Sequence, residues 1–126
     1  MSGENELWAP GENVVNRVSM LLVPRQPWID WAASLDRDDP PPAAGTPGNT
    51  YLLPAYDEED DLKEFIHGNH GIFFEEELAA WTDDESVWPT DRSWEMFTEW
   101  FDLHISALVY DLGDEPLAYY PMEDED

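Results

Sequence analysis

The chain has 126 residues, with thirty Asp and Glu against five Lys and Arg, a formal charge of −25 with its three His neutral. Apolar residues make up 42% and aromatics 13%, which separates it from the weakly hydrophobic, highly charged composition of disordered chains. The absence of Cys excludes disulfides, thiolate metal sites and cysteine nucleophiles and fits a reducing compartment. A polyanion is repelled by nucleic-acid phosphate and by anionic membrane, which argues against direct binding to either.

This length predicts one domain, burying about two-thirds of the unfolded surface. Residues 1–12 combine Gly, Pro, Asn and Glu around a lone Leu7-Trp8 pair. They show neither the basic nor the apolar region of a secretory signal and read as a flexible tail. The longest aliphatic run, Met20-Leu21-Leu22-Val23, is far too short to span a bilayer, so a soluble cytoplasmic protein is expected.

Val14 to Val23 reads as a strand with apolar side chains on both faces, hence a central one, ended by Pro24. Pro27 suits the first position of a short helix. In that helix Trp28, Trp31, Ala32 and Leu35 form the apolar stripe and Asp30 lies in the first turn. Residues 36–49, DRDDPPPAAGTPGN, read as a proline-rich connector inside the domain, with Pro40-Pro41-Pro42 favouring polyproline II.

Thr50 to Leu53 reads as a second strand stopped by Pro54. Asp57 is placed to cap a helix over Glu58–Ile66, with Leu62, Phe65 and Ile66 facing inward and Gly68 ending it. A further helix over roughly 71–81 carries Phe74, Leu78 and Trp81 at helical spacing. The next, capped by Thr90 or Asp91, has Trp94, Phe97 and Phe101 on one stripe and Met96, Trp100 and Leu103 on another. Ile105 to Leu112 reads as the third strand, and Leu117 to Tyr120 as a short edge strand.

The order β-α-β-α-α-α-β predicts a small α+β (or α/β) domain with a three- to four-stranded mixed sheet covered by helices. Strand–helix–strand units cross over right-handed, which would make the first two strands parallel if they share a sheet. The tail Glu123-Asp124-Glu125-Asp126 reads as frayed, as expected for four like charges in a row.

Two stretches carry a resemblance. Val23-Pro24-Arg25-Gln26-Pro27-Trp28-Ile29-Asp30-Trp31 with Ser34-Leu35 is one. Trp88-Pro89, Trp94-Glu95-Met96-Phe97-Thr98-Glu99-Trp100-Phe101-Asp102 and Val109-Tyr110-Asp111-Leu112 make up the other. Together they resemble a family of small acidic bacterial proteins with a Q-P-[FW]-x-D-W motif and a C-terminal E-M-F-x-E-W-F-D motif. The resemblance implies bacterial origin and a single compact domain; it supplies no catalytic or binding residues.

Asp57, Glu58, Glu59, Asp60, Asp61 and Glu64 form the densest acidic cluster, and Asp57, Asp61 and Glu64 share a helical face that suits a hard cation. The plainer reading is a solvated helix start, and no EF-hand spacing occurs. His67 and His70 have His-x-x-His spacing, but Gly68 and Gly71 argue for a helix break between them. His104 reads as packed at a helix–strand junction. Arg17 and Arg25 read as partners of carboxylates such as Asp30 or Asp102. No Ser lies in a G-x-S-x-G context and no phosphate-cradling loop is present, so no catalytic residue, cofactor or metal site is assigned. Most tryptophans read as core. Trp8 and Trp88, in expected loops, are the candidate anchors for a protein partner.

Three functional readings follow. The leading one is a non-enzymatic protein-interaction module. Its competitor is a nucleic-acid mimic or inhibitor that engages a basic DNA- or RNA-binding protein. The third is a carboxylate enzyme or divalent-cation binder. B-DNA presents one charge per about 107 Å² of its cylinder. A compact globule of this size, with roughly 6,900 Å² of surface, presents one per about 275 Å², so mimicry requires the acids to be segregated onto one face.

At the even spacing the charges lie about 17 Å apart, beyond the roughly 8 Å screening length at physiological salt. Self-repulsion is therefore felt at low ionic strength. The melting temperature is expected to climb between about 10 mM and 150 mM NaCl, as followed by circular dichroism; a flat or falling trend would contradict this.

Overall fold

The computed structural model describes residues 13–35 and 38–120. The expectations for the two tails, and the positions of Trp8 and Arg37, lie outside the described residues. The elements are β1 (Arg17–Pro24), α1 (Gln26–Ser34), β2 (Thr50–Pro54), α2 (Glu59–Gly68), α3 (His70–Trp81), a 3₁₀ turn (Glu85–Val87), α4 (Trp94–Trp100) and β3 (Phe101–Ser106). This is the expected order in a small α+β fold.

The sheet has the order β2-β1-β3, with β1 central. Both pairings are antiparallel, so the sheet is not mixed, and β1 and β2 do not form a parallel crossover unit. The connector decides this. Gly45 N–H donates to Pro24 O at 3.3 Å, Gly48 N–H to Leu22 O at 2.9 Å, and Leu22 N–H to Asn49 O at 3.0 Å. The proline-rich segment thus returns the chain to the end of β1 it has just left, and β2 runs back alongside. A Cβ at Gly48 would lie 2.5 Å from the Leu22 carbonyl oxygen, so this close return admits only glycine.

One sheet face carries Val18, Met20 and Leu22 of β1. In register with them are Leu53 and Tyr51 of β2 and Leu103 and Ile105 of β3. The helices cover this face. Trp28, Ile29 and Ala32 of α1, Ile66 of α2, Phe73, Phe74 and Leu78 of α3, and Phe97 of α4 join it in one buried cluster. Trp31, Trp81, Trp88, Trp94 and Trp100 pack against that cluster while partly exposed, in keeping with the reading of most tryptophans as core.

Local differences from the expected elements have identifiable causes. Arg25 is the N-cap of α1, so Pro27 is its second residue. Asp30 then falls beyond the first turn, where it accepts from Gln26 Nε2 at 2.9 Å. Glu58, not Asp57, stands at the N-cap position of α2, without a side-chain capping bond. The break between α2 and α3 falls on Asn69, between the two glycines that signalled it; its N–H donates to Phe65 O and Ile66 O while its own carbonyl accepts from Ile72 N–H.

Ser93, not Thr90 or Asp91, caps α4 through a bond from Met96 N–H at 3.2 Å. α4 ends at Trp100 and β3 follows without a loop, so Phe101 and Leu103 are strand rather than helix residues. FDLHIS alternates strictly between apolar and polar, a period-two signal that the overlapping helical stripe had masked. The alternation also places His104 with Asp102 and Ser106 on the opposite face from the core, exposed rather than packed. Beyond β3, Tyr110 forms an isolated bridge with Val14, and Leu117–Tyr120 pairs with no strand among the described residues.

Two glycine substitutions test this account. Gly48→Ala should cost about 1–3 kcal/mol, because a backbone atom must shift. Gly71→Ala, whose Cβ would meet nothing within 4 Å inside α3, should gain roughly 0.5–1 kcal/mol. Urea unfolding of both variants checks the pair of signs.

Candidate functional site

An apolar groove of about 490 Å³ opens where the helical layer stops short of the sheet edge. Its floor is Leu103 and Ile105, two residues apart on β3 and therefore on one face. One wall is Trp94, the first residue of α4. The other is α2, whose Lys63, Glu64, Ile66 and His67 fall within about one helical turn.

The register shows how the groove arises. Met20 and Ile105 are direct partners on the same sheet face, yet Met20 is fully buried while Ile105 is 45% exposed. β3 is an edge strand, and the helices cover only the β1 side of it.

The walls are held by aromatic contacts. The His67 and Trp94 rings lie 4.7 Å apart, tilted by 41°, and Trp94 is 5.7 Å from His70 and 5.9 Å from Phe97. His70 Nδ1 lies 2.7 Å from His67 O and its Nε2 3.1 Å from Arg92 O. Both ring nitrogens thus face backbone carbonyls, to one of which a neutral ring can donate, and the His-x-x-His pair is part of the packing between α2, α3 and the start of α4. Among the described residues, no three carboxylates or imidazoles gather as a metal set.

The sequence-derived candidates are placed as follows. Glu59, Asp60 and Asp61 occupy the first turn of α2, where carboxylates meet the positive end of the helix dipole. Asp57 and Glu58 precede the helix, and all six residues of the cluster are exposed. Only Glu64 lines the groove. Lys63 pairs with Glu59 at 3.6 Å on the exposed helix surface.

Trp88 is half-buried against the core, and its Nε1 donates to Thr82 O at 3.0 Å, so its ring serves packing rather than an exposed anchor. Arg25 reaches Asp102 at 3.8 Å as expected, whereas Arg17 donates to Asn16. The groove residues Ile66, Trp94, Leu103 and Ile105 read in sequence as ordinary core. Their apolar type is the only signal they give, since nothing local tells which core position lies at an uncovered edge.

A second polar feature lies elsewhere. Glu77 of α3 is 4% exposed. Its Oε2 accepts from Tyr51 Oη at 2.6 Å and from Asn49 Nδ2 at 2.9 Å, which ties α3 to β2 and to the end of the connector. Burial raises the Glu77 carboxyl above the ordinary range, opposed by these two hydrogen bonds and reinforced by Glu76. Burial, and then the bond to Glu77, also hold Tyr51 well above the usual phenol.

Comparison with protein-family models, with curated proteins and with solved structures found no match to this chain.

The raised Glu77 carboxyl fixes the sign of a pH effect. Its folded-state pKa exceeds the unfolded one, so the folded state binds the proton more tightly. The stability it contributes is complete below the unfolded pKa of about 4.3 and is lost as pH rises through the folded value. Thermal unfolding at constant ionic strength should show a loss of stability from mildly acidic to neutral pH that is smaller in Glu77→Gln; equal slopes in the two proteins would contradict the assignment.

Proposed function

We propose that this chain is a non-enzymatic protein-interaction module that receives a basic partner at the groove between α2, α4 and β3. The observation that carries the reading is the uncovered floor of that groove. Ile105 lies half-exposed beside fully buried Met20, in a recess lined almost wholly by apolar surface. An open apolar recess within a polar surround is the usual form of a protein or ligand contact. The chain's −25 charge and the exposed acids of α2 favour a cationic partner and speed its encounter.

The same polyanion disfavours nucleic acid and anionic membrane as partners. Among the described residues no helix is long and apolar enough to cross a membrane. The proposed setting is a bacterial cytoplasm; the bacterial part of this reading rests on the family resemblance, and the sequence's lack of Cys suits a reducing cytoplasm.

Mimicry of nucleic acid draws less support. The accessible surface is 8690 Å², so a net charge falls on about every 350 Å², sparser than the compact-globule figure. Exposed acids stand on α2, on α3 (Glu75, Glu76), on α4 (Glu95, Glu99) and on the open face of β3 (Asp102). Both the helical side and the open face of the sheet thus carry acids, rather than one side alone.

Immobilised wild-type chain and Ile105→Thr, exposed to bacterial lysate at low and physiological salt, test the reading. A basic protein should be retained by wild type at both salts and lost from the variant at physiological salt. Identical retention by both proteins would refute the groove as the docking site.

A further inference from the structure

The sheet edge beside the groove carries an inference that rests on the proposed docking reading and deepens it. On a central strand, successive residues direct their backbone N–H and C=O to alternate neighbours. Leu22 N–H and C=O bond to Asn49 and Gly48, on the β2 side. The odd-numbered residues of β1 therefore face β3, as the bond from Arg25 N–H to Trp100 O at 2.8 Å also requires.

Leu103 lies opposite Leu22, and Ile105 opposite Met20. Their backbone N–H and C=O groups consequently point away from β1, along the outer edge of the sheet. These are the same two residues whose side chains floor the groove. One short stretch thus offers a row of strand-pairing groups and, at right angles to it, an apolar recess.

Natural edges are commonly blunted by proline, lysine or a bulge. The other edge, β2, ends in Pro54, but FDLHIS in β3 has neither proline nor lysine. What guards this edge is charge. A second copy would bring another −25, so self-pairing works against strong repulsion, while a cationic strand is attracted.

We propose that the occupant of the groove is an extended cationic segment of a partner protein that adds as a fourth strand along β3. Its alternate apolar side chains enter the recess over Leu103 and Ile105, and the intervening basic side chains lie on the opposite sheet face, the side of exposed Asp102. The backbone bonds supply affinity and the recess supplies selection, as in strand addition generally.

The test uses a short synthetic peptide of alternating lysine and valine, the same peptide N-methylated on the backbone amides that face β3, and a helix-forming peptide of equal charge. Binding is measured by calorimetry at physiological salt, and amide exchange of Leu103 and Ile105 by NMR. The alternating peptide should bind and slow exchange at both amides. N-methylation should weaken it about tenfold, and Ile105→Thr, which keeps the β-branched backbone preference, by a similar factor.

If Ile105→Thr weakens binding while N-methylation does not and the two amides stay unprotected, strand addition is overturned and the groove reading survives. Tighter binding of the helical peptide has the same meaning. If neither change alters binding, both proposals fall. Sedimentation showing a dimer dissociated by Ile105→Thr would also overturn the proposal, since the occupant would then be a second copy.

Discussion

Phe74 of α3, Phe97 of α4 and Phe101 of β3 form a nearly equilateral triangle of rings, with centroids 5.7, 5.7 and 5.6 Å apart. All three are essentially removed from solvent. Truncating any one to alanine costs about 3–5 kcal/mol in a well-packed core, against a total stability of about 5–15 kcal/mol for a domain. The triangle joins two helices to the sheet and fixes where the helical layer sits: over the Phe101 end of β3. Ile105, four residues further along, lies beyond that cover, so the closure of the core and the opening of the groove are two ends of one packing arrangement.

Electrostatics do little to hold this fold and much to set its company. The ion pairs Arg25–Asp102, Lys63–Glu59 and Arg92–Glu75 involve exposed side chains, apart from a partly buried Arg92, and surface pairs contribute about 0–1 kcal/mol each. The surplus of carboxylates opposes compaction, which the aromatic core outweighs. Among the described residues, Glu77 is the exception among the acids. It is buried, held by a phenol and an amide, and locks α3 to the strand that the connector delivers. Its value lies in joining distant segments, and its cost is the desolvation that raises its pKa.

Much of the architecture was legible along the chain. Apolar residues on both faces of Val14–Val23 marked a central strand, and β1 is central. The stripe of Trp28, Trp31 and Ala32 marked α1, and the glycines around Asn69 marked the break between α2 and α3. The boundary between α4 and β3 was not legible. Phe97, Trp100 and Phe101 satisfy a helical period while Phe101, Leu103 and Ile105 satisfy a strand period, and only pairing with β1 decides between them. Of the candidate binding residues placed by the structure, Glu64 alone reaches the groove, because exposure of an acid says nothing of what it stands beside.

Composition and periodicity by themselves determined the charge, the element order and the apolar side chains available for a core, since these depend on residue type and near-neighbour spacing. The antiparallel course of β2, the contact between Glu77 and Tyr51 and the uncovered edge at Leu103 and Ile105 were decided only in three dimensions. Each depends on which segments meet across tens of residues, and hydrogen-bond direction and helix coverage are properties of that meeting rather than of any stretch of chain.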